Sequence, residues 1–65
     1  MKFKTNQLIE AVQAAQKSAN ATSTVRYVIS GKDRMLNVCE KSKAIKMLNN
    51  AECVLMQMCN PMVTA

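Results

Sequence analysis

Between Thr24 and Glu40 apolar and polar residues alternate in period two, break once, and resume. Thr24-Val25-Arg26-Tyr27-Val28-Ile29-Ser30 is rich in β-branched side chains. Gly31-Lys32-Asp33 interrupts it with the chain's single glycine, and Arg34-Met35-Leu36-Asn37-Val38-Cys39-Glu40 alternates again. This spacing predicts a β-hairpin. Parity sets its expected register. With Gly31 and Lys32 as the centre of a type II′ turn, Gly31 supplying the positive φ, Ser30 pairs with Asp33, Val28 with Met35, Tyr27 with Leu36 and Val25 with Val38. One face then carries Val25, Tyr27, Leu36 and Val38. The other carries Thr24, Arg26, Asn37 and Cys39, with Val28 and Met35 among them.

Lys2-Phe3-Lys4 alternates charge and ring and suits a short first strand. Thr5 or Asn6 can cap a helix that runs to Ala19, with Leu8, Val12, Ala15 and Ala19 on one face. Residues 20–23 read as a loop. Ser42 can cap a second helix over 43–49, with Ala44, Ile45 and Leu48 as its apolar stripe. Cys53 to Cys59 reads as a final strand stopped by Pro61, although its methionines and leucine also favour helix. The order is βαββαβ: a small two-layer α+β domain, 1–65, with an antiparallel sheet built on the central hairpin and two helices on one face. If Phe3 lies on a strand, a minimal ferredoxin-like fold is the nearest match.

At 65 residues the core is small and stability marginal, which leaves self-association open on energetic grounds. Nine basic residues against four acids leave a net charge of +5, which suits an acidic partner. Lys41, Lys43 and Lys46 form the one basic cluster. Cys39, Cys53 and Cys59 are odd in number and match no disulfide framework. With no signal peptide after Met1 and no spanning apolar run, free thiols in the cytoplasm are expected, with no membrane association. The initial methionine and the lack of a linker suggest a complete small gene product.

Candidate chemistry is sparse. There is no histidine, and Glu10, Asp33, Glu40 and Glu52 fall in different elements, so no enzyme activity and no cofactor are expected. Three cysteines without histidine do not make a metal site. Gly31-Lys32 lies between two strands, where turn chemistry explains it better than a phosphate loop does. The six methionines suit core filling or an adaptable contact surface. On the last strand Val54, Met56 and Met58 line one face and Cys53, Leu55 and Cys59 the other. Both faces are apolar, yet two helices on one side cover only one of them, so the second is a contact surface. For nucleic acid, Phe3 and Tyr27 both point inward, leaving Lys2, Lys4, Arg26, Asn37 and Gln57 outside to hold phosphates, with nothing to stack bases.

Met1-Lys2-Phe3, a Leu8/Val12 helix and a strand pair together are similar to the opening of bacterial sliding clamps. The likeness spans residues 1–40, contains no functional motif, and implies no site residue.

The expected function is therefore a non-catalytic protein-binding module: a small inhibitor, adaptor or regulator of a size common in phages and mobile elements. It would dock through the outer sheet face or the hairpin edge. Val28, Met35 and Leu55 are the expected anchors, Lys2, Lys4 and Arg26 the charged rim, and a homodimer could use the same surface. The alternative is an accessory nucleic-acid binder holding phosphates with Arg26, Lys41, Lys43 and Lys46.

Overall fold

The six elements occur in the expected order. The computed structural model describes residues 2–62, so Met1, which belongs to the leader reading, the clamp likeness and the methionine set, lies outside them. β1 (Lys2–Lys4) leads through a 3₁₀ turn into α1 (Leu8–Thr22). β2 (Arg26–Ser30) and β3 (Met35–Cys39) form the hairpin, followed by α2 (Lys41–Leu48) and β4 (Val54–Cys59). The run over 53–59 is a strand.

The sheet order is β1-β3-β2-β4, and every neighbouring pair is antiparallel. Each helix therefore joins two parallel strands with a third between them. α1 crosses β3 to carry β1 to β2, and α2 crosses β2 to carry β3 to β4. Both crossovers run the same way across the sheet, but they start from strands of opposite direction. Right-handed crossovers then place the two helices on opposite faces. The core agrees. Val28, Leu36 and Cys59 pack with Ala11 and Ala15 of α1. Ile29, Cys39 and, less deeply, Tyr27 pack with Ala44 and Met47 of α2.

The α+β class and the antiparallel sheet stand, but the two-layer form with both helices on one face does not. In a ferredoxin-like order β4 would lie beside β1, the second crossover would run back, and the helices would share a face. Here β4 pairs with β2, and the sheet is the middle of three layers.

The hairpin register also differs from expectation. Val28 pairs with Val38, Tyr27 with Cys39, Ile29 with Asn37 and Ser30 with Leu36. This is an odd shift, so each β3 residue lies on the face opposite to the expected one relative to β2. The loop is three residues long, Lys32-Asp33-Arg34, closed by Gly31 N–H donating to Met35 O at 2.9 Å and Arg34 N–H to Gly31 O at 3.0 Å. The left-handed residue is Arg34 (φ 61°), and Gly31 has no positive φ. Gly31 serves close approach instead: a Cβ there would lie 2.9 Å from Asp33 Oδ1 and 3.1 Å from Asn37 Nδ2. The expected parity follows from separating apolar from polar residues between the two faces. With a helix on each side, both faces must be apolar, and that criterion selects the wrong parity.

The α1 seam is likewise rotated. Ala11, Ala15 and Ala19 are fully buried, whereas Leu8 is 36% exposed. The helix runs on to Thr22 and ends on left-handed Ser23, whose N–H donates to Ala19 O. The expected caps also move. Gln7 Oε1 accepts from the Lys4 N–H at 3.0 Å, and α2 is capped at Glu40, whose Oε1 accepts from Ser42 Oγ at 3.2 Å.

Candidate functional site

α2 divides its face of the sheet in two. Ala44 and Met47 point at the sheet. At about 100° per residue, Lys43 and Lys46 fall on one flank of that line, and Leu48 and Ile45 on the other. Between the lysine flank and the β1–β3 end of the sheet lies an open cleft of about 490 Å³, and Lys2, Lys32, Asp33 and Asn37 complete its polar rim. The other flank faces β4.

The cleft is electropositive. Four lysines line it against one carboxylate. Asp33 Oδ2 accepts from Lys2 Nζ at 3.1 Å, the only ion pair among the described residues. Its Oδ1 accepts from the Met35 N–H at 3.0 Å. The Lys2 ammonium first, and the Met35 N–H second, hold the Asp33 carboxyl below the usual carboxylate range. Lys32, Lys43 and Lys46 have no ion-pair partner among the described residues. Asn37, 6% exposed, forms part of the wall, its Nδ2 donating to Met35 O at 3.1 Å.

The other flank leads to an apolar edge. β4 is the terminal strand beside β2, six residues long and without a charged side chain. Val54, Leu55, Met56 and Met58 are 43–55% exposed. Leu55 and Met58 pair with Ile29 and Tyr27, which places them on the α2 face, toward Leu48 (40% exposed) and Ile45 (52%). A register shift opposite Val28 and Ile29 leaves Met56 as the bulged residue. The opposite sheet edge is β1, three residues long with two lysines, the usual guarded form of an edge.

The sequence-predicted residues do not form one surface. Lys2, Lys4 and Met35 share the α2 face at the β1 end, where Lys2 pairs with Asn37 and Lys4 with Met35. Leu55 is on the same face at the far edge. Val28 is fully buried under α1 and cannot anchor a partner. Arg26 shares Val28's side of β2, with Nη2 donating to Thr22 Oγ1 at 3.4 Å, so it is separated by the sheet from Lys43 and Lys46. Lys41 starts α2, outside the cleft lining. Phe3 and Tyr27 lie on opposite faces, not on a common one. Sequence reasoning missed Lys32 as a member of the cleft, because only the three-residue loop brings it there.

The thiols are unequal. Cys39 and Cys59 are buried, their Sγ atoms donating to Tyr27 O at 3.9 Å and Val12 O at 3.8 Å. Burial pushes both thiols up from their ordinary pKa. Cys53 is half-buried and opens into the cleft. Among the described residues, no three His, Cys, Asp or Glu side chains group as metal ligands, and no helix is long and apolar enough to cross a membrane. Comparison with protein-family models, curated proteins and solved structures finds no match to this chain.

Proposed function

We propose that the chain is a non-catalytic protein-binding module that docks through the β4 edge and the adjoining Ile45–Leu48 flank of α2. The observation that carries this is β4 itself: a six-residue outer strand with no charge and four large apolar side chains 43–55% exposed. Outer strands present unpaired N–H and C=O groups, and stable soluble folds guard them with charge, proline or brevity. β1 has such a guard, whereas β4 has only its bulge. A partner segment added as a fifth strand would satisfy those groups and cover the side chains. Charge selects the partner: two copies of a +5 chain repel, whereas an extended segment with acidic flanks is attracted. A small inhibitor, adaptor or regulator fits this mode of action.

The test uses the tagged chain and Leu55→Lys/Met58→Lys, captured from lysate after nuclease treatment, with light scattering on the purified protein. Both positions are exposed, so the double variant should keep its circular dichroism. A nuclease-resistant partner held by the wild type and lost by the folded variant supports the edge. A partner held equally by both places docking elsewhere. Concentration-dependent dimers abolished by the variant make a second copy the occupant.

A further inference from the structure

We infer that the cleft between α2 and the β1–β3 end of the sheet is a binding site for a free mononucleotide-sized organic phosphate. Four lysines converge there from three parts of the fold: Lys2 from β1, Lys32 from the hairpin loop, and Lys43 and Lys46 one turn apart on α2. Among the described residues only Lys2 has a carboxylate partner, and that ion pair offsets the charge of Asp33, leaving Lys32, Lys43 and Lys46 to meet an entering anion. A phosphate group entering the cleft brings a counter-charge to these ammonium groups.

Size and floor narrow the ligand. A volume of about 490 Å³ is in the range of small-molecule sites. Met47 and Cys53 line the cleft beneath the lysine rim, an apolar surface for an organic body, while buried Asn37 offers an amide to its polar edge. A nucleic-acid strand would need cations continuing beyond the cleft. Arg26 is across the sheet and Lys41 is outside the lining, so beside the cleft only Lys4, on the same face as Lys2, and Arg34 of the loop extend the charge. Among the described residues no aromatic side chain lines the site, so base identity would be read poorly and the phosphates would dominate affinity. The cleft lysines and the exposed β4 side chains lie on opposite flanks of α2, while Cys53, next to Val54, joins the cleft to the start of β4.

Cys53 reports occupancy. It opens into the cleft while Cys39 and Cys59 are buried, so it reacts first with a disulfide reagent in the folded chain. With ATP at about five times its Kd, modification should slow about sixfold, with shifts of the Asn37 side-chain amide resonances. Lys43→Glu/Lys46→Glu, both exposed positions, should stay folded by circular dichroism and lose the protection. ATP that changes neither readout at low salt overturns the proposal. So does protection that persists in the double variant, or protection given by a single-stranded oligonucleotide and not by ATP.

Discussion

Arg34 holds the clearest local strain in the hairpin. Its φ of 61° is in the left-handed region, which costs an L-residue about 1–2 kcal/mol. Arg34→Gly removes that cost at the expense of a floppier unfolded chain, so a gain of about 0.5–1 kcal/mol is expected in urea unfolding. Gly31→Ala should do the reverse. The new methyl would meet Asp33 Oδ1 at 2.9 Å and Asn37 Nδ2 at 3.1 Å, both already held by hydrogen bonds. A loss of about 1–3 kcal/mol is the typical cost of such crowding. The sequence located this turn but assigned the wrong residue to the special backbone, because an arginine at positive φ leaves no compositional trace. Asp33 has a pH signature. Its folded pKa is lowered, so its contribution is fully present above the ordinary carboxylate value and is lost as pH falls through the depressed one. Carbon-detected NMR titration should find Asp33 below the usual range in the wild type and closer to it in Lys2→Ala.

Among the elements, α1 shows how packing sets a helix face. Ala11, Ala15 and Ala19 form a seam of small side chains, so the helix lies close on Val28 and Leu36. Ala15→Leu should destabilise by about 1–3 kcal/mol through overpacking. Leu8→Ala, at a 36% exposed position, should cost about 0.5 kcal/mol or less in the same denaturation assay. The helical period was readable from the sequence, but its phase was not. A hydrophobicity count weights Leu8 above Ala11, whereas a close helix–sheet contact selects alanine. The identity of β4 was readable as well, from a short run and its proline stop. That one of its apolar faces stays open was readable too, but its place as the outer strand beside β2 was not, since alternation does not show where a strand docks.

For the whole molecule, the order of elements was legible and their arrangement was not. Alternation shows that a strand has two faces without showing which helix covers which. That depends on the edge where β4 docks, a long-range contact that the local pattern does not encode. Docking beside β2 sends α2 to the face opposite α1 and leaves β4 as the unguarded outer strand. Hence the expected site broke apart: Val28 went into the core, Arg26 to the α1 face, and Leu55 alone of the expected anchors reached the open edge. The same placement separates an apolar shelf from a basic cleft along the two flanks of one short helix. The most direct check on docking through β4 is amide hydrogen exchange, residue by residue, in the free chain and in complex with the captured partner. Added protection should concentrate at Val54–Cys59 and leave Lys2–Lys4 unchanged. Protection confined to α1 or to β1, with β4 exchanging as in the free chain, would contradict the proposal.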